Sequence, residues 1–199
     1  MTLIAHRKNT ISELQSTNKN YGVEVDIRSL GHNLILHHDP FEDGTLFADW
    51  IKYYAHKTLI LNIKEEGLEE RVLDLMYLHN IHDYFFLDQS FPFLVKFSKK
   101  GLKKTAVRLS EFESINTVLT LEGKVDWVWV DCFSFLPLSK KDYLDLKAKG
   151  FKVCIVSPEL QGKDPNIEIP IYFNLLLSRE IHPDAICTKN PEIWEKLQK

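Results

Sequence analysis

The feature that most limits what this chain can become is an alternation. Short apolar runs rich in β-branched and aromatic residues are separated by segments of helical period. That pattern specifies parallel βα units, because two parallel strands need a crossover between them and a helix is the usual one. The strand candidates are residues 2–6, 22–27, 58–64, 84–88, 105–109, 126–131, 152–157 and 185–188, with an extra pair-like element at 33–38. Helical segments are predicted at 12–18, 46–56, 68–80, 93–99, 111–121, 140–149, 171–178 and 191–198.

The helix at 68–80 is the clearest, since Leu68, Val72, Leu75, Met76 and His79 recur on one face. Gly101, Gly123 and Gly150 follow helix candidates, where a left-handed residue often ends the turn. Eight strand–helix units favour a compact (β/α)8 TIM barrel over the alternative, an open doubly wound sheet. With 199 residues the loops of such a barrel must be minimal, because the fold rarely uses fewer than about 200. No repeat, low-complexity tract or linker divides the chain, so residues 1–199 read as one domain, with 161–170 as its mobile loop.

Composition narrows the partners. A formal charge of -3 leaves no electrostatic footprint for nucleic acid or an anionic membrane. Lys99, Lys100, Lys103 and Lys104 read as a solvated helix end. Cys132, Cys154 and Cys187 sit singly in apolar runs, as buried small residues of a reducing compartment, and no pair has metal-ligand spacing. The apolar start is too short for a signal peptide, and no later run approaches the ~20 residues that cross a bilayer. The expectation is a cytoplasmic protein without membrane insertion, acting on a small molecule; its oligomeric state is left open.

In such barrels the reactive groups lie at the C-terminal strand ends. Those ends here carry His6 and Arg7, Glu24 and Asp26, Asn62 and Lys64, Asp88, Arg108, Asp131 and Lys189, with Glu159 shortly after the seventh strand. Glu24 and Asp26 are two apart, so their carboxylates share a face. Close carboxylates repel, and an oxygen-ligated Mg2+ or Ca2+ removes the penalty; the alternative is a solvent-facing acidic edge. Lys64 has the same spacing from Asn62, and would bind a phosphate oxygen or simply end its strand in water. His6 and His38 supply two imidazoles that titrate near neutral pH and suit acid–base work, although single histidines are more often structural. His37 competes with His38, and Asp39 favours His38 as a ring-orienting neighbour. His32, His56, His79 and His82 read as surface cases.

Together these residues resemble a known family. His6-Arg7 with Asn9-Thr10, Glu24-Val25-Asp26 and His38-Asp39-Pro40 are similar to the opening of glycerophosphodiester phosphodiesterases, a family of TIM-barrel phosphodiesterases. The segment from Asp184 to Pro191 is similar to the one that closes those barrels. The resemblance implies a divalent metal, Mg2+ or Ca2+, with two histidines working on a phosphodiester. Carried over, it makes His6 and His38 the acid–base pair, Arg7 and Lys64 phosphate contacts, and Glu24, Asp26 and Asn62 the metal ligands.

Three departures mark a divergent member. Asn62 stands where the family has a carboxylate, Lys8 where it has glycine, and the insertion that shapes a glycerol pocket has no room. Segments around Asn62, Arg108 and Glu159 also resemble a branch associated with bacterial surface-polysaccharide biosynthesis. That likeness implies that Arg108, Asp131 and Glu159 line the pocket and read a sugar or polyol phosphate. The expected function is a metal-dependent phosphodiesterase on a small glycerol-, polyol- or sugar-linked diester. The alternatives are a weakened barrel that binds phosphate esters, or a phosphoryl lyase or transferase.

Overall fold

The computed structural model describes residues 1–198. Ten strands follow one another along the chain: β1 (Thr2–Ala5), β2 (Gly22–Leu30), β3 (Asn33–Leu36), β4 (Thr45–Leu46), β5 (Leu59–Ile63), β6 (Tyr84–Leu87), β7 (Ala106–Leu109), β8 (Trp127–Val130), β9 (Lys152–Val156) and β10 (Ala185–Thr188). Their helices are α1 (Ile11–Ser16), α2 (Phe47–Trp50), α3 (Glu69–Leu78), α4 (Phe91–Lys99), α5 (Ile115–Leu119), α6 (Lys140–Ala148), α7 (Pro165–Ser178) and α8 (Pro191–Leu197).

Parallel ladders join β6 to β5, β5 to β2, β2 to β1, β1 to β10, and then β10 through β9 and β8 to β7. The sheet therefore curls until its first and last strands, β6 and β7, face each other. That seam carries no ladder, only one parallel bridge between Phe86 and Thr105, with the Phe86 N–H donating to the Lys104 carbonyl at 2.9 Å. The expected ring is thus a curled α/β sheet whose eighth seam is a single contact. β2 outruns its neighbours, and β3 folds back on it antiparallel, pairing Ile27 with Leu36 before β4 adds to the edge. Gly44 permits this return: a Cβ there would stand 2.6 Å from the Leu36 carbonyl oxygen and 3.2 Å from the His37 Cβ.

Side-chain parity sorts the core. Ile4, Ile60, Phe85, Leu87, Ala106, Trp127, Trp129, Cys154, Val156, Ala185 and Cys187 pack with one another on the concave face. Phe85 stacks on Trp127 there at 4.4 Å. The alternating residues, such as Val23, Val25, Leu59 and Leu61 on one side or Val128, Val130, Val153 and Ile155 on the other, pack outward under the helices. Some helices start from a side-chain cap. Thr10 and Glu13 form a capping box for α1, and Ser139 caps α6.

The expected mobile loop at 161–170 is mostly helix: Gln161 ends a 3-10 turn, and Pro165 opens α7, with the Asp164 side chain accepting the Asn166 N–H. The predicted helix at 111–121 shrinks to α5, because Ser114 caps it late and Glu111 serves the neighbouring loop. The one predicted at 46–56 is α2 followed by a single 3-10 turn. All three cysteines are buried and unpaired. Among the described residues no helix is long and apolar enough to cross a membrane.

Candidate active site

The concave-face parity decides what reaches the mouth. Continuing each inward column past its apolar residues gives His6 just after β1, Glu24 and Asp26 on β2, Asn62 on β5 and Lys64 just after it, Arg108 on β7, Asp131 just after β8 and Lys189 just after β10. His6, Arg7, Glu24, His38, Asn62, Lys64, Asp88, Arg108, Asp131 and Lys189 line one cleft of about 400 Å³. The two imidazoles foreseen in the sequence share that cleft.

Glu24 and Asp26 are almost wholly buried. The Glu24 carboxylate accepts the backbone N–H of Arg7 at 2.7 Å and the Asn62 amide at 2.9 Å. Arg7 adopts φ 53, a strained conformation for a residue with a side chain, and holds it where its N–H meets Glu24. Asp26 is locked by Asn9: the Asn9 amide donates to Asp26 Oδ2, and the Asp26 N–H donates to Asn9 Oδ1, both at 2.9 Å. Two cations then meet Asp26, with Lys64 Nζ at 3.2 Å and Arg7 Nε at 3.3 Å.

The charges continue in alternation. Lys64 also faces Asp88 at 3.7 Å, Arg108 grips Asp88 at 2.6 Å, and Arg108 pairs with Asp131. Asp131 accepts the Gln161 amide at 2.9 Å. Asp88 has the outward parity of its strand, but φ 58 turns it back into the cleft. Arg108 was expected to hold substrate; here its guanidinium is already shared by two carboxylates.

Burial sets the protonation of the deepest groups. Desolvation, then the charge of Arg7, lowers the His6 pKa to about 3, so the ring is neutral at pH 7. Desolvation, then the neighbouring Asp26, raises the Glu24 pKa to about 7. His6 Nε2 lies 3.7 Å from Glu24, but both groups are driven toward neutrality, so the contact is not an ion pair. His38 is different. Its ring is 41% exposed, and Nδ1 lies 2.7 Å from Asp39 Oδ1. Arg28 holds the His38 carbonyl through Nε at 3.1 Å and Nη2 at 2.9 Å. His37 bonds to the backbone of Asp39 instead and does not line the cleft.

Glu159 departs from expectation. Its side chain accepts from Ser157, from Thr188 at 2.5 Å and from the Lys189 N–H at 2.9 Å, so it ties the β9 turn to β10 outside the cleft. Glu159 lies past β9 in a 3-10 turn, Pro158–Gln161, where the alternation of the strand no longer holds. Arg28 was missed, although it continues the parity of Glu24 and Asp26 along β2.

The divalent metal that the sequence resemblance implies can be tested against the donors present. Among the described residues no three His, Cys, Asp or Glu side chains group as a metal site. However, Asn62 Oδ1 is buried without a partner beside the buried Glu24 carboxylate. An unmet amide oxygen next to a carboxylate is donor chemistry suited to Mg2+ or Ca2+. Asp26 already has two cations, so the unmet demand lies with Glu24 and Asn62.

No family sequence model matches the chain, and no curated protein matches it in sequence. Solved structures do match it in shape. A glycerophosphodiester phosphodiesterase from Agrobacterium tumefaciens C58 superimposes with a TM-score of 0.71, covering 99% of this chain and 98% of its own, at 12% identity. A glycerophosphoryl diester phosphodiesterase from Parabacteroides distasonis gives 0.65 over 94% and 82%, at 11% identity. The chain has a divergent glycerophosphodiester-phosphodiesterase-like fold.

The raised Glu24 pKa has a stability consequence. Between about pH 4.5 and pH 7 the folded chain keeps a proton that the unfolded chain releases, so stability falls as pH rises through that window. Glu24→Gln is expected to melt higher than wild type at pH 8 in chelator-treated buffer, with the gap closing by pH 4.5. A melting difference that does not change with pH would contradict the assignment.

Proposed function

We propose that the chain is a metal-dependent phosphoric diester hydrolase acting on a small glycerol-, polyol- or sugar-linked phosphodiester. The observation that carries this reading is the meeting of His6 and His38 in one cleft with Arg7, Lys64 and Lys189. In it, residues 1–199 act as one domain and the single β6–β7 bridge completes a (β/α)8 ring.

His6, held at the end of β1 with its Nε2 3.7 Å from Glu24, takes the proton of the attacking hydroxyl. His38, oriented by Asp39, gives a proton to the departing alcohol. Arg7 and Lys64 turn from Asp26 toward the phosphoryl oxygens, joined by Lys189, and hold the negative charge that grows there. Glu24, Asp26 and Asn62 would hold a divalent cation, which supplies further positive charge to those oxygens.

Replacing His6 or His38 by alanine is expected to cut turnover of a glycerophosphodiester by about 100-fold or more. The melting point should move little, because neither ring belongs to the apolar core. Unchanged turnover in both variants would reject the roles, and phosphorus NMR of the wild-type products tells water from a substrate hydroxyl as nucleophile. Asn62→Glu is expected to tighten Mg2+ or Ca2+ binding about tenfold by titration calorimetry, since it adds a charged oxygen to the unmet pair. Identical heats in both proteins would remove Asn62 from the metal site.

A further inference from the structure

A second cavity opens where the ladder stops. Between β6 and β7, under the first turns of α4 and α5, lies a space of about 700 Å³, larger than the catalytic cleft. The two are continuous in their walls, since both include Asp88 and Arg108. The seam cavity is faced by apolar Phe91, Leu94 and Phe112 and by polar Glu113 and Thr117. Its one cation, Arg108, is neutralised by Asp88 and Asp131. Nothing there would attract a second phosphate.

The rim is aromatic. Phe112 is 83% exposed and lies 6.0 Å from Phe133, itself 40% exposed and part of the catalytic cleft wall. This pair therefore spans the two cavities. Its loop is held by polar contacts and not by burial. The Glu111 carboxylate accepts the N–H groups of Phe133, Ser134 and Phe135 at 3.3, 2.5 and 3.0 Å, and Lys163 donates to the Ser134 carbonyl at 3.0 Å. Exposed aromatic rings fixed in this way form a prepared contact surface.

We infer that the seam cavity receives the uncharged arm of the diester, and that this arm carries a hydroxylated ring, a sugar or cyclic polyol. The inference rests on the phosphodiesterase reading and narrows its substrate class. The ring lies against Phe112 and Phe133, which offer flat apolar faces to its C–H groups. Its hydroxyls reach Glu113 and Thr117. Glu113 Oε2 accepts from Ser110 at 2.7 Å, while Oε1 and the Thr117 hydroxyl have no partner among the described residues. An alkyl chain fits worse, because it would strip water from these polar groups and return no hydrogen bond. An open glycerol arm is small enough for the catalytic cleft and leaves the aromatic pair without a contact.

Titration of the whole protein with inorganic phosphate, glycerol 3-phosphate, inositol 1-phosphate and the 1-phosphates of glucose, galactose and mannose tests this. At least one ring-bearing ester is expected to bind about tenfold more tightly than inorganic phosphate and glycerol 3-phosphate. The Phe112→Ala variant should lose that excess while its phosphate affinity stays within about twofold, since Phe112 lines the seam cavity and not the cleft. That ring is exposed, so the variant should fold as wild type does. Equal affinities across the panel, or an excess that survives in Phe112→Ala, overturns the subsite. A wild type that binds no inorganic phosphate overturns the phosphodiesterase reading and the subsite with it.

Discussion

Charge compensation around the strand ends is the constraint on which the rest depends. Arg7, Asp26, Lys64, Asp88, Arg108 and Asp131 alternate in sign across β1, β2 and β5 to β8, and each contacts the next. Buried carboxylates such as Asp26 are costly unless cations stand beside them. The chain therefore supplies its own counter-charges to the carboxylates of the cleft. Glu24 lies one step deeper, accepts two N–H groups and faces a neutral imidazole, and burial with the nearby Asp26 pushes its pKa up.

The two histidines of the cleft sit in different surroundings. His6 is enclosed and uncharged, with Glu24 beneath it and Arg7 beside it. His38 stands on the loop that β3 returns to the cleft, with Asp39 on its ring and Arg28 on its carbonyl. One is fixed by the sheet and the other by a hairpin, so the space between them is set by the length of β2 and the close turn at Gly44. The weaker seam between β6 and β7 sits on the opposite side, where a larger group has room.

Much of this was legible in the chain. Strand positions follow from apolar runs, and the shared face of Glu24 and Asp26 follows from a two-residue period. The same period, applied strictly, places Arg28 near the cleft; Glu159 lies in a 3-10 turn past β9, where that period gives no guide. Asp88 breaks the rule through a positive φ, which no side-chain pattern announces. The helix from Pro165 was hidden because two prolines and an asparagine disguise its start, although Asp164 before Pro165 is a capping signal. The break in the ladder at β6–β7 had no local signature, since pairing depends on a neighbour distant in sequence.

The central claim is that one phosphate sits between His6 and His38. A crystal structure of the protein soaked with inorganic phosphate and Mg2+ tests it most directly. The account predicts tetrahedral density in the cleft, within hydrogen-bond reach of Lys64 and Arg7, with one imidazole on either side. Phosphate bound elsewhere, or a His38 loop turned away so that His6 faces the cleft alone, would contradict it.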